Sequence, residues 1–558
     1  MRKTTFSSLI LVGGLVAWGC SSDSPGTTGA AAGAPGASGS STNAAGGTAP
    51  GVAGSATNPT AGTGSSTGGT PATGTAGATG AAGTATGTAG ATGAGGTGAS
   101  GGSGAGGGAG TGGDSTTGPV TVQLAQERQT IEGFGINNTW ADPMSDADAD
   151  AMFSPTTGLG LTILRVGMGS NGKVMSDNIP ADITKAKARG VTTLIGSCWS
   201  PPGDWKTEHT YKDSAENDGG HVLPAKYADW ADRIVAFAKD NGLHAMSIAN
   251  EPDFASCGLN EPCNGNYPTT LYTAKEMVDF VKVAGPKFKA AGVKLIAPEA
   301  SEWLHQWSND SATGSEPNKK NSSDPLKCGF PKGTMCAAGQ GYDYGHALFA
   351  DKDAWAAVDI MGVHQYDTQV AEPWPADVTE KKPVWQTEMS GVKWWKEQGP
   401  SSDIENGIAV AGWLHSALTV GEASAWLWWW YRPLGTDDNE GLILKNGMDT
   451  KRHYTFGNYT RFVRPGYKRV DITGAVPDGV LLSAYKSPTD GTVVIVAINK
   501  GAAAMVPITI GGGTAPAMLT PTVTSAADNL AAKPAVAVTG GMFTATLDSK
   551  TVTTFVGK

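Results

Sequence analysis

Two copies of Asn-Glu-Pro lie ten residues apart, at 250–252 and 260–262. A glutamate before a proline either takes part in chemistry or shapes a turn. The first copy directly continues the apolar run AMSIA, so we expect Glu251 at the tip of a buried strand. The second is bracketed by Cys257 and Cys263, and we expect it to form a loop.

Two further glutamates close apolar runs, Glu299 in VKLIAPEA and Glu388 in PVWQTEMS. Cleavage of a glycosidic bond needs two converging carboxyl groups, one protonated to donate to the leaving oxygen and one ionised to attack or to activate water. Glu251 and Glu388 are the predicted pair. A third ionised carboxylate would repel both, so Glu299 is expected to support the site from beneath.

The elements that must position these side chains are eight short apolar runs between residues 131 and 465, separated by helix-like segments. The runs are rich in Ile, Val, Leu and aromatic residues, as in strands buried on both faces. In one intervening segment, Tyr227, Trp230, Ile234 and Phe237 fall on one helical face. The pattern predicts an α/β fold, a (β/α)8 TIM barrel, whose chemistry lies at the carboxyl ends of its strands.

After the barrel, residues 466–558 give short alternating strands separated by turns, which predicts a β-sandwich side domain. Residues 119–130 contain one strand without a helix to pair with, and we expect that strand to join the sandwich.

The amino-terminal region is not predicted to be globular. Residues 1–19 have a basic start and a short apolar run, typical of a signal peptide. Ala17-Trp18-Gly19-Cys20 resembles a bacterial lipobox, which predicts lipidation of Cys20; ordinary secretion is the alternative. Residues 20–118, almost wholly Gly, Ala, Ser and Thr, predict a flexible linker between a surface anchor and the folded part.

Cysteine usage agrees with export, because two close pairs fall in loop sequence and predict local disulfides. The pairs are Cys257 with Cys263 and Cys328 with Cys336. Zinc binding is the rival interpretation, but the sequence has neither CxxC spacing nor HExxH. Cys198 is left over as a buried free thiol.

The formal charge is −10, and removal of Arg2 and Lys3 with the signal makes it −12. This balance argues against nucleic acid as a partner and suits a soluble extracellular protein. We expect a monomer that meets the membrane only through its lipid anchor. The predicted chemistry needs no metal and no organic cofactor.

Eight motifs in order make the chain similar to glycoside hydrolase family 30: IEGFG, GLGLTILRVGMGSN, SCWSPPGDWKT, SIANEPD, VHQYDT, PVWQTEMS, AWLWWWY and RFVRPGYKRVDIT. The resemblance covers nearly all of residues 119–558, including the side domain. It implies a barrel of the retaining 4/7 superfamily that acts by double displacement. Glu251 then matches the acid/base and Glu388 the nucleophile.

Neighbouring residues acquire expected roles. Asn250 is expected to form a hydrogen bond with the sugar hydroxyl beside the reacting carbon. Tyr366 is expected to donate to the nucleophile and lower its pKa. Arg165 is expected to hold the same carboxylate ionised, with a structural ion pair as the alternative. His364 is either a sugar contact or a core histidine with its hydrogen bonds satisfied.

Pyranose rings pack on indole, so four tryptophans are candidate stacking platforms: Trp140, Trp199, Trp385 and Trp428. Core packing is the alternative for each of them. Successive strand residues point to opposite faces, so Trp428 and Trp430 share one face and Trp429 takes the other. At least one of the three therefore packs behind the barrel.

The substrate is predicted from the resemblance. VHQY and RFVRPGYKRV look closer to the xylanase and endo-glucanase branch than to glucosylceramidases. The glucuronoxylan-cutting subfamily carries an arginine-rich loop after strand eight, which here reads WYRPLGTDDNE. Arg432 is retained as a candidate glucuronate contact, but Pro433 replaces a second basic residue and three acidic residues follow.

The leading prediction is therefore an endo-β-1,4-xylanase that acts on a polysaccharide or oligosaccharide. A β-1,6-glucanase or glucosylceramidase-like β-glycosidase of the same family is the close alternative. From another class, the alternative is a non-catalytic glycan-binding surface lipoprotein.

Overall fold

The computed structural model describes residues 119–207, 219–254, 267–308, 341–366, 369–370, 372–391, 398–433, 437 and 439–558. The expected signal peptide, Cys20, the linker, both expected disulfides and the second Asn-Glu-Pro lie outside the described residues. Cys198, which is described, is a buried free thiol. No helix in these ranges combines the length and apolarity needed to cross a membrane.

Eight parallel strands close into a barrel in the order β10-β11-β2-β3-β4-β6-β8-β9. In chain order these strands are β2 (Gly133–Asn137), β3 (Ile163–Met168), β4 (Thr193–Cys198), β6 (Ala245–Ser247), β8 (Lys294–Ala300), β9 (Ile360–His364), β10 (Val384–Glu388) and β11 (Ala423–Trp428). Each coincides with one of the eight apolar runs, so the predicted (β/α)8 barrel is confirmed. A separate two-stranded sheet joins β5 (Gly219–His221) and β7 (Thr270–Leu271).

The described helices lie between and after the barrel strands. They are α1 (Asp146–Phe153), α2 (Ile179–Ala188), α3 (Tyr227–Asp240), α4 (Ala274–Ala291), α5 (Tyr344–Ala350), α6 (Lys352–Ala357), α7 (Ile404–Thr419) and α8 (Lys451–Thr460). Helix α3 buries the apolar face expected from its spacing. Helix α4 begins with a capping box, in which Thr273 and Glu276 satisfy each other's backbone N–H groups.

The barrel interior near the amino ends of the strands is a closed apolar layer. Eight side chains form it: Ile163, Ile195, Ala245, Ile296, Ile360, Trp385, Ala425 and Leu427. Aliphatic and aromatic groups therefore fill this end of the barrel. The polar groups described below come from the opposite end, where the strands finish, which we call the mouth.

The remaining strands form one sheet with the order β17-β16-β20-β14-β13-β12-β1-β15-β19, with β18 paired to β16. They are β1 (Val120–Thr130), β12 (Lys468–Thr473), β13 (Val480–Lys486), β14 (Val493–Asn499), β15 (Ala504–Gly511), β16 (Met518–Thr524), β17 (Ala531–Ala532), β18 (Val536–Ala537), β19 (Met542–Leu547) and β20 (Thr551–Gly557). An aliphatic core of Val, Ile, Leu and Ala with two phenylalanines lies inside. The sandwich-like side domain of the predicted fold class is therefore confirmed. Strand β1 pairs antiparallel with β12 and parallel with β15.

Candidate active site

Glu251 lies four residues beyond β6, in a turn with a left-handed backbone (φ 48°). Its N–H donates to the carbonyl of Glu299 at 3.0 Å, and its own carbonyl accepts from the N–H of Phe254 at 3.0 Å. These bonds fix the turn that directs the carboxyl group into the mouth. The side chain there is only 9% exposed.

Glu388 is the last residue of β10, and the register of β10 against β9 shifts between Gln386 and Glu388. Such irregularities re-aim a side chain at the end of a strand. One oxygen of Glu388 lies within 4.8 Å of one oxygen of Glu251. Retaining glycosidases hold their two carboxyl groups about 5–5.5 Å apart and inverting ones about 6.5–9.5 Å. The spacing favours double displacement.

Arg165 of β3 connects three side chains beneath the mouth. Its guanidinium is fully buried; Nη1 donates to Glu388 Oε2 at 2.7 Å and Nη2 donates to Asn250 Oδ1 at 2.6 Å. Its Nε lies 3.3 Å from Glu299 Oε1, and its guanidinium carbon lies 5.0 Å from the centre of the Trp199 ring. One fixed cation therefore orients the groups from three different strand ends.

Glu388 carries the contacts expected of an ionised carboxylate. Tyr366 donates its hydroxyl to Glu388 Oε1 at 2.8 Å, while Arg165 holds the other oxygen. Burial nevertheless raises the pKa of Glu388 above its ordinary value, and the charge of Glu251 raises it further. His364, Arg165 and Tyr366 each lower this pKa, but each by less than burial raises it. The expected contacts are present, but the net shift of the pKa is upward because desolvation is the larger effect.

The pKa of Glu251 is raised to about 8. Burial is the largest cause and the charge of Asp253 is the second, while Arg165 opposes both. In the part of the chain that the structure describes, no lysine or arginine forms an ion pair with Glu251. A carboxyl group in this environment keeps its proton near neutral pH, as a general acid must.

His364, at the end of β9, lies between the two carboxyl groups. Its Nδ1 is 2.9 Å from Glu251 Oε1 and its Nε2 is 3.7 Å from Glu388 Oε2. Burial lowers the pKa of His364 despite the surrounding carboxylates, which favours the neutral form of the ring. Because its side chain is fully buried, His364 positions Glu251 and does not present a face to a sugar.

Glu299 lies under the site, as expected from the repulsion argument. Its side chain is fully buried, pairs with Arg165 and accepts a hydrogen bond from Ser197. Burial would raise the pKa of Glu299, but Arg165, then His364, Ser197 and Thr387 outweigh it and lower the pKa. Glu299 is thus the ionised partner that helps to hold Arg165 in place.

An aromatic wall, which we define as Trp140, Trp199, Tyr267 and Trp429, borders this group. Trp140 lies 5.2 Å from Trp199, 6.1 Å from Tyr267 and 6.3 Å from Trp429, measured between ring centres. Trp199 and Trp429 are 6.3 Å apart. Flat apolar rings beside two carboxyl groups are suited to packing against pyranose rings.

Glu251, His364 and Glu388 also have the mutual spacing of a cation site within the described ranges. Carboxylate and imidazole are ligands that zinc accepts. Here, however, Glu251 and His364 are hydrogen bonded to each other, and Arg165 Nη1 lies 2.7 Å from Glu388 Oε2. A divalent ion would have to displace these contacts beside a fixed positive charge. We interpret the three residues as the two carboxyl groups of the predicted chemistry and a histidine that contacts both, and metal independence stays a prediction.

No protein-family model matches the chain. The chain is 28% identical over 454 residues to glucuronoxylanase XynC of Bacillus subtilis (strain 168), across 78% of this chain and 91% of that protein. It shares 26% identity and a TM-score of 0.61 with the GH30 endoxylanase structure from Clostridium papyrosolvens C71, covering 79% of this chain and all of that one. The family 30 subfamily 8 xylanase Xyn30A from Clostridium acetobutylicum gives 26% identity and a TM-score of 0.61, over 79% and 99%. The chain is therefore similar in both sequence and fold to glycoside hydrolases of family 30.

In this glycoside hydrolase, seven of the sequence-predicted residues come together at the mouth. They are Trp140, Arg165, Trp199, Asn250, Glu251, Tyr366 and Glu388. His364 joins them, as a buried contact of both carboxyl groups.

Two predicted stacking platforms of this glycoside hydrolase do not line the mouth, and these expectations are corrected. Trp385 belongs to the apolar layer near the amino ends of the strands, and its Nε1 donates to Glu132, which precedes β2. Trp428 has no exposed surface; its Nε1 donates to the carbonyl of Glu440 at 2.7 Å, and its ring packs 6.0 Å from Trp426. Both are core residues.

The guanidinium of Arg432 is bound to other groups of the protein, so it is not a free cation for glucuronate. Its Nη2 lies 2.5 Å from Asp148 Oδ1, and its Nη1 donates to the carbonyls of Leu444 and Lys445 at 3.2 and 3.1 Å. These contacts tie the loop after β11 to α1. The expectation that Arg432 grips an acidic side group is therefore not supported by its position.

Sequence reasoning missed Trp429 and Asp253. The signal for Trp429 was the strand alternation, because Ala425 and Leu427 point into the barrel and Trp429 continues that face. Asp253 follows Glu251 by two positions, and its role needed the three-dimensional contacts with Ser301 and His305. No feature of the sequence pattern identified those two partners.

Proposed function

We propose that this glycoside hydrolase is a retaining endo-β-1,4-xylanase. The observation that carries the proposal is the pair of buried carboxyl groups, within 4.8 Å of each other and in different electrostatic surroundings. The solved relatives at 26% identity are xylanases, and the aligned Bacillus protein is a glucuronoxylanase. Together they support xylan as the polymer that is cut.

In the first step, Glu388 attacks the anomeric carbon while Glu251 gives its proton to the departing glycosidic oxygen. The bond to the leaving sugar breaks and an ester between Glu388 and the remaining glycan forms. In the second step, Glu251, now a carboxylate, takes a proton from water, and that water attacks the same carbon. Glu388 leaves as a carboxylate and Glu251 is protonated again.

The remaining groups serve these two steps. Asn250 Oδ1 accepts a hydrogen bond from Arg165 Nη2 at 2.6 Å, so the NH2 group of Asn250 is the part that remains for the sugar hydroxyl next to the reacting carbon. Tyr366 keeps its proton, because burial and then the charges of Glu388 and Glu251 raise its pKa well above the ordinary value. It therefore donates to Glu388 whenever that group carries negative charge.

We further propose that glucuronate side groups are not required. Arg432 is paired with Asp148, and the charge of Glu440 acts on both Tyr366 and Tyr267 at the mouth. Negative charge beside the site opposes a bound carboxylate. The neutral xylan main chain is then the group that the site recognises.

The test is mass spectrometry of the products released from glucuronoxylan, with Glu388→Gln as the blank. We expect neutral xylo-oligosaccharides among the products, and no products from the blank. Oligosaccharides that each carry one glucuronate would overturn the proposal about side groups. An absence of products, with activity on β-1,6-glucan or on glucosylceramide, would overturn the xylanase proposal.

A Glu251→Gln variant separates the enzyme from a glycan-binding protein. We expect the variant to lose turnover on xylan by about 10²-fold or more, because general acid catalysis contributes about 10²–10⁴-fold. A protein that only binds glycans would show no turnover to lose and would keep its affinity for xylan.

The domain boundaries and the export of the protein also remain our proposals. We propose a signal peptide at 1–19, lipidation at Cys20, a linker at 20–118, a barrel at 131–465, and a side domain of 119–130 with 466–558. Lipidation predicts that Cys20→Ser moves the protein from the membrane fraction to the soluble fraction of the producing cell. An unchanged distribution would favour simple secretion.

A further inference from the structure

Phe254 is a large aromatic side chain left open to solvent beside the catalytic acid. It is 41% exposed, whereas the other large apolar side chains that stand exposed in the described ranges are all methionines. Its N–H donates to the carbonyl of Glu251 at 3.0 Å. The same tight turn therefore positions both the proton donor and an exposed aromatic ring.

The ring of Phe254 extends the aromatic wall outward. It lies nearly parallel to Tyr267, at an angle of 11° and a centre-to-centre distance of 6.4 Å. Tyr267 in turn contacts Trp140 at 6.1 Å, and Trp140 contacts Trp429 at 6.3 Å. The exposed ring is therefore continuous with the wall that borders the two carboxyl groups.

The position of Phe254 relative to the acid Glu251 decides which sugar unit the phenyl ring contacts. Glu251 protonates the oxygen that departs, so the leaving part of the glycan lies on the side of Glu251. Tyr267 is the ring next to Phe254. Burial is the largest cause that raises the pKa of the Tyr267 hydroxyl, and the charge of Glu251 is the second, so Tyr267 lies near Glu251. Phe254 stands on that same side, beyond Tyr267.

We propose that Phe254 is a stacking platform for a sugar unit of the leaving group. This inference rests on the proposed function, since it takes Glu251 as the acid. Pyranose rings offer flat apolar faces that pack on aromatic rings, and Tyr267 backs the phenyl ring against tilting. A longer glycan on the leaving side then binds better than a short one.

The experiment compares two xylose-based substrates with different leaving groups. One is xylohexaose, whose leaving part can cover Phe254, and the other is β-xylobiosyl fluoride, whose fluoride cannot. For Phe254→Ala we expect kcat/KM on xylohexaose to fall by about 3- to 10-fold, since the stacking contact with the leaving part of the glycan is lost. Activity on the fluoride should stay within about twofold, because fluoride offers no sugar that could contact Phe254.

Two matched variants complete the design. Phe254→Trp keeps a flat ring and should retain most of the activity on xylohexaose, while Met448→Ala removes another exposed apolar side chain and should change neither substrate. Equal losses on both substrates for Phe254→Ala, or no loss on either, would overturn the inference. If the unmodified enzyme cleaves the fluoride but no xylo-oligosaccharide, the xylan proposal fails. The same comparison is then repeated with oligosaccharides of the glycan that is cleaved.

Discussion

At the scale of single residues, the proton on Glu251 depends on a neighbouring charge that is itself held in place. Asp253 accepts hydrogen bonds from the N–H of Ser301 at 2.8 Å, from the Ser301 hydroxyl at 2.8 Å and from His305 Nδ1 at 2.5 Å. Burial would raise the pKa of Asp253, but His305 and Ser301 outweigh it and lower the pKa. Asp253 therefore stays ionised and makes ionisation of Glu251 harder.

We predict that Asp253→Asn moves the alkaline limb of kcat/KM to lower pH. The limb follows the loss of the proton from Glu251, whose pKa is about 8, and removing a negative neighbour lowers that pKa. The other charged groups that act on Glu251, namely Arg165 and Glu299, are unchanged in this variant, as are its contact His364 and the partner Glu388. The measurement is a pH profile of kcat/KM on xylan.

Asp351→Asn is the control for that profile, because Asp351 lies at the junction of α5 and α6 and pairs with Lys282. The Asp351→Asn variant should leave the alkaline limb of kcat/KM at the same pH. A folded Asp253→Asn variant with an unshifted limb would contradict the argument. Urea denaturation of each variant separates this effect from a loss of folded protein.

At the scale of elements, the direction of β11 decides which tryptophan lies beside the two carboxyl groups. Leu427 belongs to the layer inside the barrel, so Trp429 continues on the inner face and Trp428 points outward. Trp429 reaches the aromatic wall, whereas Trp428 is fully buried. Two adjacent residues of the same type thus have different physical roles.

We predict that Trp428→Ala and Trp429→Ala separate stability from binding. Trp428→Ala should lower the free energy of unfolding by about 3–5 kcal/mol, as for other large core truncations, with KM of the folded enzyme little changed. Trp429→Ala should raise KM on xylan by about tenfold, because it removes a stacking surface. Urea denaturation and steady-state kinetics measure the two effects, and a reversed pattern would contradict the assignment of faces.

Much of the barrel could be predicted because its eight strands are short, apolar and separated by helical segments. The same property hid the orientation of individual side chains. A strand buried on both faces has no polar side to mark outward, so Trp428 and Trp429 could not be distinguished. Trp385 does point into the barrel, but it lies in the apolar layer near the amino ends of the strands. The level of a side chain along the barrel axis depends on the stagger of neighbouring strands.

The two carboxyl groups were predicted from their positions at strand ends, yet their final aim depends on irregular backbone. Glu251 and Glu299 both have positive φ, of 48° and 62°, and the register shifts just before Glu388. A non-glycine residue in that region is uncommon and is stabilised by its surroundings. Regular alternation could not have predicted these local departures.

At the scale of the whole molecule, α8 joins the barrel to the side domain. Asn458 Nδ2 donates to the carbonyl of Thr522 at 3.0 Å and to Thr554 Oγ1 at 3.1 Å, and that hydroxyl donates back to the carbonyl of Asn458 at 2.6 Å. Asn458 is fully buried. A buried polar group with these partners links the barrel and the sandwich, so their stabilities are coupled.

We predict that Asn458→Ala lowers the free energy of unfolding by about 1–3 kcal/mol, because it leaves the carbonyl of Thr522 and the hydroxyl of Thr554 without this donor. Urea denaturation should show the loss, with kcat/KM on xylan unchanged below the transition. Asn446→Ala, at an exposed turn, is the control and should cost less than about 0.5 kcal/mol. An equal cost for both variants would contradict the argument.

Strand β1 has a mechanical consequence. The chain enters the described fold at Pro119 and runs through β1, which is hydrogen bonded to β12 on one side and to β15 on the other, before it reaches β2. Tension applied ahead of Pro119 is therefore carried by two ladders whose bonds must shear together. Along the chain, pulling at the amino-terminal end of the fold therefore reaches β2, the first strand of the barrel, only after both ladders have opened.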